Sequence, residues 1–172
     1  MFFKNYFNIK GRSSRSEFWY MVIWAILFTI ALTGISILVS EMLFNSMNDR
    51  ILEFIISLIF IFLTIPAFTL SVRRFHDVGW SMTIPIMILI ISLIARFFGF
   101  FIELSSGFGF TQIEKAVTAL STPNFDYLSG AFGLILSNLY WLLTIAIFIV
   151  AIYKSQKGPN KYGPNPKEDF GF

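Results

Sequence analysis

The 172-residue sequence contains no cysteine and only one histidine, His76. Without cysteine the chain has no disulfide, no thiolate ligand for zinc and no thiol nucleophile. A single imidazole also excludes the metal sites that need several histidines. We therefore expect a protein that holds neither a metal ion nor another cofactor.

Charged residues are scarce as well, since they make up 13% of the chain, whereas ordinary soluble domains carry about 25%. Hydrophobic residues make up 56%, and phenylalanine alone occurs 22 times. The apolar residues are grouped in runs long enough to cross a bilayer, and a soluble fold would have to expose several of these runs. The composition therefore predicts an integral membrane protein.

Four apolar runs predict four transmembrane helices, at about residues 18–40, 51–71, 82–102 and 131–153. Each run is long enough for the hydrocarbon core of a bilayer, which is about 30 Å thick. We expect an all-α fold in which these helices form a bundle within one membrane domain, followed by a tail at 154–172. The longest connection contains a pattern typical of a short amphipathic helix, at 111–120.

Basic residues are distributed unevenly between the ends of these runs. One set of ends carries Lys4, Lys10, Arg12, Arg15, Arg73, Arg74, Lys154, Lys157, Lys161 and Lys167, whereas the opposite loops carry only Arg50 and Lys115. Lysine and arginine concentrate on the cytoplasmic side of multi-pass proteins, so we expect both termini in the cytoplasm. The same bias explains a pI near 9.3, and we infer no nucleic-acid partner from it.

Three polar segments lie at the ends predicted to be cytoplasmic. They read GRSSRSEFW at 11–19, RRFHDVGW at 73–80 and GPNKYG at 158–163. In this order they resemble the bacterial inner-membrane family catalogued as domain of unknown function 805, whose pattern is G-R-x-x-R-x-E-[FY]-W, R-R-x-H-D-x-G and G-x-N-x-[FY]-G. The resemblance covers essentially the whole chain and implies a small multi-pass protein of the bacterial inner membrane, with no assigned activity.

The three segments define a predicted basic-aromatic rim. The candidates for holding an anion or a lipid headgroup are Arg12, Arg15, Arg73, Arg74 and His76. The residues expected to shape the rim are Glu17, Trp19, Asp77, Gly79, Asn160, Tyr162 and Gly163. The alternative is that these segments only tie helix ends together and anchor them among the headgroups. His76 also leaves a pH-sensing role open.

Local patterns within the rim predict specific contacts. Ser14 and Glu17 have the spacing of a capping box at the start of the first helix. The segment 73–80 is expected to form a turn between two spans, with Gly79 at a positive φ. Glu17 and Asp77 should each lie within salt-bridge reach of a rim arginine, because isolated carboxylates are disfavoured at an anionic membrane surface.

Arg96 is the one basic residue well inside an apolar run. In one interpretation its side chain snorkels outward, towards Glu53 or Glu103. In the other it lines a path for a substrate or an ion. The runs otherwise contain few polar groups.

These features favour a non-enzymatic membrane component whose rim engages anionic lipid or a protein partner, which could be a second copy of the chain. One alternative is a small channel or transporter subunit, which a continuous polar cavity reaching Arg96 would support. Another is an enzyme that acts on lipid headgroups, which would require His76, Asp77 and Glu17 to surround an open position.

The predicted topology can be tested with single cysteines, because the natural chain has none. We expect a membrane-impermeant thiol reagent to label Ser106→Cys from outside and to reach Ser155→Cys only after permeabilisation. Labelling of position 155 from outside, together with protection of position 106, would invert the topology.

Overall fold

The structure is a computed structural model that describes residues 7–43, 46–107, 109–128 and 130–166, except for the side chains at 39–43, 46–53 and 110. Within these residues the regular secondary structure is helical, apart from one isolated β-bridge between Asn160 and Gly163. Four helices are long and apolar enough to cross a membrane. The prediction of an all-helical chain with four helices of membrane-spanning length is confirmed.

The helices are α1 (Arg15–Leu43), α2 (Ser46–Val78), α3 (Thr83–Ser105), α4 (Phe110–Ser121) and α5 (Gly130–Ile152), with a short 3₁₀ helix at Phe125–Tyr127. The four candidate spans belong to α1, α2, α3 and α5. The predicted short helix in the long connection is present as α4.

Helix α2 includes most of the segment expected to form a turn. Its 33 residues continue through Pro66 and through the two arginines to Val78, so the turn prediction for 73–78 is wrong. At about 1.5 Å per residue such a helix is some 50 Å long, well beyond the hydrocarbon core of about 30 Å. The first charge after an apolar run therefore marks the end of the apolar stretch, and the helix extends further.

The end of α2 is a Schellman cap centred on Gly79. The N–H of Gly79 donates to the carbonyl of His76 at 3.1 Å, and the N–H of Trp80 donates to the carbonyl of Phe75 at 2.9 Å. Gly79 has φ 87°, a conformation that glycine adopts without steric cost. The rings of Phe75 and Trp80 meet edge to face at 6.2 Å, which completes the apolar contact typical of this cap.

The described residues fall into two compact units. The first unit comprises 7–24, Thr64–Leu89 and 139–166, and contains all three polar segments. Its small core joins three helices, because Phe18 of α1, Leu70 of α2 and Ala151 of α5 are buried against one another. This packing brings the start of α1 to the ends of α2 and α5.

The second unit comprises Ala25–Leu63 and Ile90–Asn138. Gly99 of α3 allows a close approach here, since a Cβ atom at this position would lie 2.8 Å from the ring of Tyr127 and 3.0 Å from the Cβ of Ala119. Tyr127 donates its hydroxyl to Glu103 Oε1 at 2.9 Å. The chain after α3 therefore folds back onto the end of that helix.

The cap of α2 yields a stability prediction. An alanine at Gly79 must adopt a left-handed conformation that costs roughly 1–2 kcal/mol, and its Cβ would lie 2.6 Å from Gln156 Oε1. We expect Gly79→Ala to lower the melting temperature in detergent by several degrees. Gly34→Ala in α1 is the control, because its new Cβ would meet nothing within 4 Å beyond the backbone of its own helix, and alanine favours helix. Equal melting temperatures for both variants would contradict the importance of the cap.

Candidate functional site: the Asp77 cluster

The first polar segment leads directly into α1. The hydroxyl of Ser14 accepts a hydrogen bond from the N–H of Glu17 at 3.3 Å, as the capping box predicts. The reciprocal half of the box is replaced, because the Glu17 carboxylate accepts the hydroxyl of Ser13 at 2.8 Å. This arrangement turns the preceding Arg12 towards the end of α2.

A buried carboxylate lies at the centre of the site. Asp77 has no exposed side-chain surface, and its Oδ1 accepts Arg12 Nε at 3.0 Å. Its Oδ2 accepts Nη1 of Arg74, whose side chain is also fully buried. The predicted ion pair of Asp77 with a rim arginine is thus confirmed, with two arginines instead of one. We call Arg12, Arg74 and Asp77 the Asp77 cluster.

Arg12 also joins α2 to the chain after α5. Its Nη1 donates to the carbonyl of Gly158 at 2.7 Å, and its Nη2 donates to the carbonyls of Gln156 at 2.6 Å and Asp77 at 3.3 Å. The guanidinium is planar and presents five N–H groups, so one side chain can bind a carboxylate and several carbonyls together. Lysine, with one ammonium, lacks this geometry.

Arginines also bind the carboxyl end of α5. Arg74 Nη2 donates to the carbonyl of Tyr153, and Arg15 Nη1 donates to the carbonyl of Ile152 at 3.3 Å. The last carbonyls of a helix have no partner within it and carry partial negative charge. The two guanidinium groups therefore satisfy and stabilise this helix end.

The third polar segment folds into a tight turn against His76. Asn160 and Gly163 exchange backbone hydrogen bonds at 3.1 and 3.0 Å, and Asn160 Nδ2 donates to the carbonyl of His76 at 2.9 Å. The rings of His76 and Tyr162 are stacked, with centroids 3.8 Å apart and planes at 9°. Asn160 accepts the N–H of Tyr162 at 2.9 Å, which holds that ring in place.

Glu17 forms a weaker, more exposed pair with Arg73. The closest nitrogen-to-oxygen distance is 3.7 Å, and the Glu17 side chain is 30% exposed. Arg73 also donates to the carbonyl of Arg12 at 3.1 Å, and Ser13 N donates to the carbonyl of Arg73 at 3.1 Å. The second predicted ion pair is therefore present, and α1 and α2 are joined by backbone as well as by charge.

Two residues of the enzyme hypothesis, Asp77 and His76, are engaged by their own chain. Both oxygens of Asp77 are occupied by arginines, and His76 is buried, with Nδ1 3.3 Å from the carbonyl of Gly11. Within the described part of the chain, no group of three or more His, Cys, Asp or Glu residues is placed to hold a metal ion. The cluster binds parts of its own chain.

The sequence matches a protein family over most of its length. The model of the family described as "Protein of unknown function (DUF805)" matches residues 6–164, nearly the whole chain. The chain belongs to this family. No curated protein matches it, and no solved structure does either. The three polar segments at 11–19, 73–80 and 158–163 lie within the matched residues and meet around Asp77.

Most of the residues that the sequence singles out lie close together in the structure. They differ in how deeply they are buried. Arg12, Arg74, His76 and Asp77 are buried. Arg15, Arg73, Asn160, Tyr162 and Gly163 are partly buried around them, and Trp19 is exposed at 36%. Arg96, on α3 in the second unit, is not part of the cluster. Lys4 and Lys167, and the side chains of Arg50 and Glu53, lie outside the described residues.

Two buried polar residues of this DUF805 protein are not predicted from the sequence. Ser13 is completely buried, and its hydroxyl, N–H and carbonyl bind Glu17, Arg73 and Arg74. Its position within the first polar segment is the sequence feature that could have pointed to this role. Glu114 belongs to a stretch expected to be polar loop and short helix, yet it is buried on α4. The amphipathic pattern at 111–120 gives no sign of this burial.

Removal of the central charge should destabilise this DUF805 protein strongly. Asp77→Asn keeps the shape but leaves Arg12 and Arg74 buried without a counter-charge, a change that typically costs about 3–5 kcal/mol. Glu17→Gln is the matched control, because a partly exposed pair is typically worth about 0–1 kcal/mol. We expect a large fall in the detergent melting temperature for the first variant and a small one for the second. Equal falls for the two variants would contradict the central role of Asp77.

Proposed function

We propose that this protein is a non-enzymatic, multi-pass component of the bacterial inner membrane whose exposed basic rim engages anionic lipid headgroups, with both termini in the cytoplasm. One observation carries the proposal. Within the described part of the first unit the carboxylates are Glu17 and Asp77, and arginines pair with both. Apart from Glu17, whose side chain is 30% exposed beside Arg73, the exposed charged side chains there are cations.

The exposed cations belong to the residues around the buried cluster. They are Lys10, Lys154, Lys157 and Lys161, with Arg15 and Arg73 partly exposed beside them. Anionic lipids attract such residues with about 1 kcal/mol for each lysine or arginine near the surface. The buried arginines contribute differently, because Arg12 and Arg74 hold the surface in shape.

Exposed aromatic side chains near the same helix ends support a position at the membrane interface. Trp19, Tyr20 and Trp24 of α1 are 36%, 66% and 70% exposed, Trp80 is 47% exposed, and Tyr153 is 54% exposed. Tryptophan and tyrosine concentrate at the headgroup level, where one part of the ring is apolar and the other is wet. Cations next to these rings lie at the depth of lipid phosphates.

The cytoplasmic placement and the inner-membrane location rest on charge and family. Anionic lipids give the cytoplasmic leaflet its negative surface potential, and this rim carries the excess of lysine and arginine that marks the cytoplasmic side. A protein partner with an acidic surface could pair with the same lysines and arginines. The decisive experiment therefore compares binding of anionic and neutral lipids in the absence of any other protein.

The proposal predicts a selective response to lipid charge. The full-length protein in nanodiscs of phosphatidylcholine with about 30% phosphatidylglycerol should retain the anionic lipid through delipidation, as read by native mass spectrometry. Neutralising Lys154, Lys157 and Lys161 to glutamine removes roughly 3 kcal/mol of attraction, at about 1 kcal/mol each. We expect the preference for phosphatidylglycerol to fall at least tenfold.

Charge-preserving replacement of the same three lysines by arginine is the control. This variant should keep the preference, and added salt should weaken it in both the control and the wild type, because screening reduces attraction between exposed charges. An unchanged preference in the glutamine variant, with a melting temperature equal to that of the wild type, would refute the lipid-binding rim.

A further inference from the structure

The second unit contains a buried carboxylate with an unengaged oxygen. Glu114 of α4 is only 5% exposed, and its Oε2 atom is buried without a hydrogen-bond partner among the described residues. A buried charge is costly unless it is paired or hydrogen-bonded, so an unengaged oxygen of this kind is a candidate contact for a bound cation or another hydrogen-bond donor.

Glu114 lines a cleft of about 360 Å³ between the end of α3, α4 and the 3₁₀ helix. The charged and hydroxyl-bearing residues that line the cleft with Glu114 include Glu103, Lys115, Thr118 and Tyr127. Small-molecule sites range from about 300 to 1,000 Å³, whereas a single water occupies about 30 Å³. The cleft is therefore of a size for a small organic group and much larger than a bare ion requires.

The polar groups of the cleft are held in place by the chain. Tyr127 donates to Glu103 Oε1 at 2.9 Å, and its ring packs on Gly99. Burial of Tyr127 and the nearby carboxylates of Glu103 and Asp126 raise the pKa of the phenol, so it remains a donor at neutral pH. Thr118 donates to the carbonyl of Glu114 at 3.0 Å. These contacts leave Glu114 as the main acceptor for a ligand.

We propose that this cleft binds a primary ammonium group joined to a phosphate, with the ammonium against Glu114 and Glu103 and the phosphate against Lys115. An ammonium group offers three N–H donors, which suit two neighbouring carboxylates. Lys115 lines the cleft and is exposed, so it can meet an anion at the mouth. The site lies at the end of α3, a candidate span, and the end of a membrane-spanning helix is where lipid headgroups are expected.

The same chemistry occurs in an ethanolamine lipid and in free ethanolamine phosphate compounds, and two binding measurements distinguish these sources. The full-length protein in ethanolamine-free nanodiscs is titrated with glycerophosphoethanolamine, followed by saturation-transfer NMR. In parallel, retention of phosphatidylethanolamine is measured by native mass spectrometry. Because glycerophosphoethanolamine is also the headgroup of the lipid, binding in the first measurement without retention in the second identifies a soluble ligand, and retention in the second identifies the lipid.

Substitutions link binding to the cleft. Glu114→Gln should weaken binding of the ligand at least tenfold. Lys115→Gln should weaken binding of the phosphate-bearing ligand and leave binding of plain ethanolamine unchanged. Asp126→Asn is the matched control, because it removes an exposed carboxylate from the same connection without changing the lining of the cleft. Equal binding by wild type and Glu114→Gln would overturn the proposal.

The wild-type protein alone supplies a second test, which does not depend on how any variant folds. Choline analogues have no N–H donors, so they should compete at least tenfold less well than ethanolamine analogues. Equal competition by choline, binding of neither zwitterion, or binding of inorganic cations alone would each overturn the proposal.

Discussion

The contact between Asp77 and two buried arginines is the interaction on which the described first unit depends. A carboxylate buried with one guanidinium would already be neutral; here a second guanidinium is also buried, so the excess positive charge needs further acceptors. Backbone carbonyls supply them, from Gln156 and Gly158 for Arg12 and from Tyr153 for Arg74. The desolvation cost of burying these ions makes the network stable only when all of its parts are present.

Such a network has a particular value in a membrane. Lipid tails are as apolar as leucine, so burial of apolar side chains between helices inside a bilayer provides little driving force to choose one arrangement over another. The core of the first unit is correspondingly small, with Phe18, Leu70 and Ala151 at its centre. Directional bonds from Arg12 and Arg74 instead specify which chain segments meet. Because arginines pair with the carboxylates of this unit, lysines remain on its surface. The same contacts therefore support both the fold and the proposed lipid binding.

Features determined by length and residue type could be predicted from the sequence. Apolar runs identify the helices, and the charges of Glu17 and Asp77 predict a partner for each among the rim arginines without specifying which one. Contacts to backbone carbonyls could not be predicted, because any residue type at 156 or 158 presents the same carbonyl group. The extent of α2 could not be predicted either, since arginine, phenylalanine and histidine are compatible with both helix and turn. The Schellman cap at Gly79 determines where α2 ends, whereas the first charge, at Arg73, does not end the helix.

The two buried carboxylates, Asp77 and Glu114, differ in the partners that the chain gives them. Asp77 has an arginine on each oxygen, so its burial is explained by the protein itself. Glu114 is buried to a similar degree, yet its Oε2 has no hydrogen-bond partner. Because an unpaired buried carboxylate is expensive and uncommon, this oxygen is the observation on which the proposed ligand site rests. The Asp77 cluster is therefore satisfied within the chain, whereas the Glu114 cleft is the proposed place for a ligand.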